Sequence, residues 1–348
     1  MSGFGLDNLP YGVFSRGGDA HCVGVRFEDS VVEVSRDPTL NALLAQGPGA
    51  WAEARGRGRE RIESGDAELV PLAEVELHLP FEVADYVDFY SSLEHATNMG
   101  RLFRPDSDPL LPNWRRLPVG YHGRAGTVVV SGTPVRRPHG QRKADDFGPS
   151  QRLDIELELG FVVGVPSRLG EPVPAERFRD HVFGVVLVND WSARDIQAWE
   201  YQPLGPFLGK SFATSIGAWV TPLEALDAYL VPAPPQDPPV LPYLDTERTN
   251  LDLELEVELN GEVVSRTSSR HLYWTMAQQL AHATVNGASI RTGDLMATGT
   301  ISGPEQGSEG SLIELWQNTR FLEDGDEVVL RGRAGTVALG DVRGRIKI

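Results

Sequence analysis

Apolar and polar residues alternate strictly from Leu153 to Gly160, with Leu153, Ile155, Leu157 and Leu159 set against Asp154, Glu156 and Glu158. Side chains alternate across a strand, so this pattern predicts a strand with one apolar face and one face of carboxylates. Carboxylates two residues apart on a face repel one another, so either water screens them or a cation sits between them. A hard divalent ion such as Ca²⁺ or Mg²⁺ suits an all-oxygen site of that kind. The chain repeats the pattern from Leu251 to Leu259, with Asp252, Glu254, Glu256 and Glu258. By period alone the two runs are indistinguishable, and the plain expectation for each is a half-exposed strand with a solvated acidic face.

Short apolar runs between Gly, Pro and Asp turns predict further strands: two or three within residues 11–34, then Thr127–Val130, Phe183–Val188, Ala218–Val220, Leu312–Leu315, Glu327–Leu330 and Thr336–Leu339. Helices are expected within residues 38–65 and, most clearly, over Tyr273–Val285. The Pro-rich stretch Val231–Pro242 is too stiff for a helix and reads as a surface excursion. The pattern divides the chain into a small α+β unit over residues 1–79 and a mostly-β unit over residues 80–348. The boundary falls near Leu77-His-Leu-Pro80, because proline favours extended backbone before it.

Composition narrows the function classes. The 348 residues carry 32 Lys+Arg and 49 Asp+Glu, a formal charge of −17. A net acidic chain without a basic block argues against nucleic acid or an anionic membrane as partner. No apolar run approaches the roughly 20 residues that span a bilayer, and the start of the chain lacks the pattern of a secretory signal. The single cysteine, Cys22, forms no internal disulfide, which suits a reducing cytoplasm, and it reads as a buried small residue.

Four segments concentrate chemistry. Asp85–Asn98 places Asp88, Tyr90, Glu94 and His95 within eight residues, and a histidine beside carboxylates suits proton transfer near neutral pH. Leu110–Arg124 packs Trp114, Tyr121, His122 and Arg124 between prolines and glycines, as in a lined pocket, though a structural loop fits equally well. In Val182–Tyr201 an apolar strand runs into Asn189-Asp190, and Ser192 is placed to cap a short helix. That helix would show Arg194, Gln197 and Tyr201 on one face beside Asp190. The fourth, Gly205-Pro-Phe-Leu-Gly-Lys-Ser211, has three residues between its glycines where a phosphate loop needs four, so nucleotide binding is rejected. Lys210 stays as a candidate cation of the site.

Read in order, Asn8-Leu-Pro-Tyr-Gly-Val-Phe14, Asp88-Phe-Tyr-Ser-Ser92, His95-Ala-Thr-Asn98, Leu111-Pro-Asn-Trp114, Pro118-Val-Gly-Tyr-His-Gly-Arg124, Asn189-Asp-Trp-Ser-Ala-Arg-Asp-Ile-Gln197, Pro203-Leu-Gly-Pro-Phe-Leu-Gly-Lys-Ser-Phe212 and Gly299-Thr-Ile-Ser-Gly303 resemble the fumarylacetoacetate hydrolase family along essentially the whole chain. The resemblance implies an SH3-like N-terminal domain (1–79) and a mixed β-roll catalytic domain (80–348), working as a homodimer in the cytoplasm. It implies hydrolysis of the carbon–carbon bond of a small β-diketo acid, 4-fumarylacetoacetate, to fumarate and acetoacetate at the end of tyrosine and phenylalanine catabolism.

By the same resemblance, Asp88, Glu156, Glu158 and Asp190 match the family's metal carboxylates for Ca²⁺ or Mg²⁺, with no nucleotide or organic cofactor. Lys210 and Thr214 match positions around a further Mg²⁺ site. His95 matches the catalytic histidine and Glu314 the carboxylate that orients it, with Arg194, Gln197 and Lys210 stabilising charge. Tyr90, Arg104, Tyr121, Gln197, Tyr201 and Thr300 match substrate contacts, whereas residues 252–258 match nothing functional. The chain is shorter than animal relatives, in the N-terminal domain and between Trp316 and Phe321, and Ala213 replaces a glycine. Trimmed loops leave open a same-fold acylpyruvase, oxaloacetate decarboxylase or secondary-metabolism diketone hydrolase. A non-catalytic metal-binding scaffold is the reading from another class.

Overall fold

The structure is a computed structural model that describes residues 3–348. Its organising strand is Val182–Asp190, in which all nine residues are buried. A strand buried on both faces carries a continuous apolar run rather than an alternating one, and Val182–Val188 is such a run, broken only by Gly184. Val185 and Leu187 pack with Leu157, Leu159, Leu255, Val257 and Leu330 in one core. Val186 and Val188 point the other way, into a second core with Tyr11, Val13, Val23, Val25 and Trp51.

Around that strand lies a 13-stranded mixed sheet. Val182–Asp190 pairs antiparallel with Leu157–Val163, and that strand pairs antiparallel with Leu295–Ala297. Leu295–Ala297 runs parallel to Tyr86–Phe89, with Ala297 opposite Asp88, and Tyr86–Phe89 pairs in turn with Gly120–His122. On its other edge Val182–Asp190 meets Thr214–Ile216, where Asp190 lies opposite Thr214, and Trp219–Pro222. The strands Tyr11–Ser15, Cys22–Phe27 and Ser30–Ser35 form a meander that joins this sheet where Tyr11 pairs with Val220. A six-stranded sheet built on Glu254–Leu259, Glu262–Ser268, Glu327–Ala334 and Val342–Lys347 covers the opposite face. The fold is thus sheet-dominated with few helices.

The helices follow local signals. Pro48–Ser64 starts with proline in its first turn and ends at Gly65, whose φ of 77° is left-handed. Leu93–Phe103 is capped by Ser92, whose Oγ accepts from the His95 amide at 3.2 Å. Met276–Thr284, four residues shorter than the expected Tyr273–Val285, opens with a capping box between Thr275 and Gln278.

Several expectations need correction. Leu312–Leu315 is a short helical turn, not a strand. Ser192 caps no helix: it lies in a two-residue strand and donates to the Asp190 carbonyl, while the helix Arg194–Glu200 starts after Ala193 without a side-chain cap. Cys22 is half-buried rather than buried. The run Leu153–Gly160 divides into Leu153–Asp154 and Leu157–Val163, with Ile155 and Glu156 between them and Glu156 bridged to Ser311. No described helix is long and apolar enough to cross a membrane.

Candidate active site

The two acidic runs part company in three dimensions. On Glu254–Leu259, Glu254 is exposed, and Glu256 and Glu258 are half-buried against Arg266 and Arg331 on neighbouring strands. On the first run, Asp154, Glu156 and Glu158 are all buried, as are the leucines and isoleucine between them. A strand between two packed layers has no solvated face. Those carboxylates therefore need partners inside the protein.

Asp88 and Asp190 supply the rest of a cluster. Asp88 comes from Tyr86–Phe89, two strands from Glu158, and Asp190 ends the central strand. One oxygen each from Asp88, Glu156, Glu158 and Asp190 lie within 4.8 Å of one another, and all four residues are buried. Two cations face them. Lys210 Nζ donates to Glu156 and, at 2.7 Å, to Asp190. Arg194 Nη2 lies 2.8 Å from Glu156 Oε1 and 2.7 Å from Asp154 Oδ2, as charge contacts outside hydrogen-bond alignment, while its Nε donates to Asp154 at 2.8 Å.

Compensation is uneven. Burial pushes the Glu156 carboxyl up, but Lys210 and Arg194 outweigh it and hold Glu156 well below the usual carboxylate range. Burial and the charge of Asp190 push Asp88 well above that range. Burial, with Asp88 and Glu156 close by, does the same to Glu158. Burial also raises Asp190, against the pull of Lys210. Asp88 Oδ1 and both oxygens of Glu158 have no hydrogen-bond partner. Buried carboxylate oxygens without donors, within 4.8 Å of the other carboxylates, suit a bound metal ion. The cluster fits a metal ion.

Beside it stands a second buried pair. His95, on the first turn of Leu93–Phe103, donates from Nδ1 to Glu314 Oε2 at 2.6 Å, since an ionised carboxylate only accepts. Glu314 also accepts from Ser311 at 2.6 Å, Asn98 at 3.0 Å and Ser302 at 3.0 Å. Burial raises its carboxyl, yet His95 and these donors outweigh burial and hold it low. A positive charge gained by His95 lowers Glu156, which ties the pair electrostatically to the acidic cluster. His95 thus keeps Nε2 for other chemistry, in a fixed tautomer.

The remaining candidates fall into two groups. Tyr121 donates to Asp190 Oδ2 and Thr214 to Asp190 Oδ1, each at 3.1 Å. Tyr90 packs edge-on against the His95 ring at 5.2 Å, and Gln197 accepts from Arg194 at 3.3 Å. Thr300 is buried with its Oγ1 unpartnered, beside Gly299, whose φ of 79° is left-handed and where a Cβ would meet the Phe89 carbonyl at 2.2 Å. Arg104 and Tyr201 are not drawn into this cluster: Arg104 is exposed and donates to the Pro109 carbonyl, and Tyr201 is exposed and accepts from Gln202. In the Gly205–Ser211 loop the Gly209 amide donates to Glu200 at 2.6 Å.

Sequence reasoning missed Asp154, Asn98, Ser302 and Ser311 as members of the site. Asn98 was findable, since it follows His95 by three residues on one helix and so shares its face. Ser311 likewise precedes Glu314 by three. Asp154 stood on the acidic face of Leu153–Gly160, but nothing local set its role apart from that of Glu156 and Glu158, and Ser302 gave no local signal, because their partners lie far away in the chain.

Comparison with known proteins agrees with this geometry. The family model described as fumarylacetoacetate (FAA) hydrolase C-terminal matches residues 85–347. Fumarylacetoacetase of Homo sapiens is 46% identical over 385 aligned positions, covering 95% of this chain and 92% of that protein. The Caenorhabditis elegans fumarylacetoacetase is 45% identical, covering 99% and 96%. Both alignments are longer than this chain, so the relatives carry segments absent here. Among solved structures, a fumarylacetoacetate hydrolase from psychrophilic Exiguobacterium antarcticum superposes with a TM-score of 0.66 over 97% of this chain and 99% of that one. At 19% identity it bears on the fold alone. The chain belongs to the fumarylacetoacetate hydrolase family.

Proposed function

We propose that this protein is a fumarylacetoacetase: it hydrolyses a carbon–carbon bond of 4-fumarylacetoacetate to give fumarate and acetoacetate. The observation that carries the reading is a buried, donor-poor carboxylate cluster beside a fixed His95–Glu314 pair, in a chain 46% identical to the human enzyme of that name. Asp88, Glu156, Glu158 and Asp190 would hold a divalent cation, Ca²⁺ or Mg²⁺. Bound there, the ion would supply Lewis-acid polarisation of the diketone oxygens.

The protein's own groups do the proton work. His95 Nε2 takes a proton from water, and the resulting hydroxide adds to the carbonyl on the fumaryl side. Glu314 holds Nδ1–H, so the imidazole keeps the tautomer that leaves Nε2 free, and stabilises the imidazolium once formed. Arg194, Gln197 and Lys210 stabilise the oxyanion, a contribution typically worth about 3–4 kcal/mol per donor. The carbon–carbon bond then breaks, its electron pair leaves as the acetoacetate enolate, and His95 returns the proton to that carbon.

Substrate contacts are assigned to Tyr90, Tyr121, Gln197 and Thr300 around the cluster, while Arg104 and Tyr201, both exposed, rest on the family resemblance alone. The Lys210 ammonium has no lone pair to offer a metal. Any share it takes in a further Mg²⁺ site with Thr214 falls to its main chain. A homodimer working in the cytoplasm fits the same reading.

The test is to strip metal from the protein and follow loss of the diketone's ultraviolet absorbance, with and without Ca²⁺ or Mg²⁺. Metal-dependent loss yielding fumarate and acetoacetate supports the assignment. Metal binding without turnover would redirect it to another diketo acid, such as an acylpyruvate.

A further inference from the structure

We propose that Asp154 is a positioning residue that locks Arg194 and the His95–Glu314 pair into one rigid unit. Asp154 is wholly buried and is not one of the four converging carboxylates. Its carboxylate joins two elements, and Oδ1 also accepts from the Ile155 amide at 2.8 Å. Oδ2 receives the Arg194 guanidinium, through Nε at 2.8 Å and Nη2 at 2.7 Å. Oδ1 accepts from the Leu312 amide at 2.9 Å, and Oδ2 from the Ile313 amide at 3.3 Å.

Leu312 and Ile313 are the first two residues of the turn that carries Glu314. That turn has no side-chain cap of its own, because Ser311 Oγ is spent on Glu314. Asp154, 158 positions earlier in the chain, takes the capping role. The four-residue turn is too short to hold its own shape in isolation. Its orientation, and with it the direction of the Glu314 carboxylate, rests on Asp154. The same carboxylate fixes the fork of Arg194, whose other contacts are Glu156 and Gln197. An unbroken chain of contacts therefore runs from Glu156 through Arg194, Asp154 and the Leu312 and Ile313 amides to Glu314 and His95.

Asparagine in place of Asp154 keeps the size but has one acceptor oxygen, and its amide N–H groups face donors. One half of the relay must let go. The inference rests on the roles given above to His95 and Arg194. Its spectroscopic arm is independent of turnover and so separates failure of the relay from failure of the reaction assignment.

Asp154→Asn, checked for folding by near-ultraviolet circular dichroism, is expected to lose about 10- to 100-fold in kcat, the range typical of outer-shell orienting groups, with KM little changed. The downfield proton resonance of the His95 Nδ1–H···Glu314 hydrogen bond is expected to move or broaden. Adding Arg194→Gln should cost less than the product of the two single losses, as for residues acting through one network. Should Asp154→Asn not fold, Arg194→Lys reads the same relay, because the hydrogen-bonded path from Arg194 to the Glu314 turn runs through Asp154. It should shift that resonance too. A folded Asp154→Asn with kcat within about two-fold of the parent, or an Arg194→Lys protein with an unmoved resonance, overturns the proposal.

Discussion

His95 Nδ1 and Glu314 Oε2 stand 2.6 Å apart, both side chains almost wholly buried, though 219 positions separate them in the chain. Charge-assisted hydrogen bonds of this length are stronger than neutral ones. This one is backed by two serines and an asparagine on the carboxylate. Replacing His95 by Ala should lower kcat by about 10²- to 10⁴-fold, the usual share of a general base. Metal affinity, measured by calorimetry, should stay near the parent value. A His95→Ala protein with near-parental rates would remove the histidine from the chemistry.

Glu314→Gln keeps the size and removes the charge. Turnover should fall about 10- to 100-fold, as for other groups that orient a catalytic imidazole. Its stability against pH gives a separate signature. The folded Glu314 carboxyl sits below its ordinary value, so it contributes stability above the usual carboxylate range and loses it as pH falls through the folded value. The stability gap between parent and Glu314→Gln, from urea unfolding, should narrow as pH drops below about 4.5.

Asp294 has the opposite sign. Burial pushes its carboxyl up to about 6, so its favourable contribution is complete below its ordinary value and lost as pH rises through about 6. An Asp294→Asn variant should gain on the parent in relative stability between pH 4 and 7, by the linkage of proton binding to unfolding. Urea unfolding across that range checks it, and a gap moving the other way would contradict the burial argument.

Lys210 is the cation closest to the acidic cluster, donating to both Glu156 and Asp190. Lys210→Met takes the ammonium away from Asp190 and leaves Glu156 with Arg194 alone as counter-charge. Removing one partner of a buried ion pair costs about 3–5 kcal/mol, so the metal-free variant should melt well below the parent. Ca²⁺ or Mg²⁺ should recover part of that loss while activity stays low. Equal melting of the two metal-free proteins would mean the ammonium is not the compensating charge.

Glu158→Gln should act in reverse. Neither Glu158 oxygen has a donor, and a neutral amide can give one to Asp88. The metal-free variant should be at least as stable as the parent, and its melting temperature should no longer respond to divalent ions. For the parent, an ion at a hundred times its Kd adds about 2.7 kcal/mol. A variant that still responds by that amount would place the ion elsewhere.

Much of this site was legible in the sequence, for reasons that differ by residue. Val182–Val188 announced a buried strand because an uninterrupted apolar run needs two apolar neighbours. Period alone failed on the acidic runs, since Leu153–Leu159 and Leu251–Leu259 alternate identically and differ only in what packs above them. The family resemblance separated them, and the burial of Glu156 and Glu158 supplies the physical reason. Leu312–Leu315 misled for a related reason. Four apolar-rich residues hold no periodicity that tells strand from helix, and the group that caps the turn, Asp154, lies in a distant segment. Ser192 carried a sound local capping signal, but pairing of Asp154 with Ser192 across two short strands overrode it.

The central strand has one further consequence. Its side chains enter two cores, its backbone pairs on both edges, and it ends at Asp190. Amides in such a segment exchange with solvent only when most of the molecule opens. Asp190 is therefore anchored in the last part of the protein to come apart. Heating or denaturant should loosen the exposed segments around Arg104 and Tyr201 long before it moves Asp190.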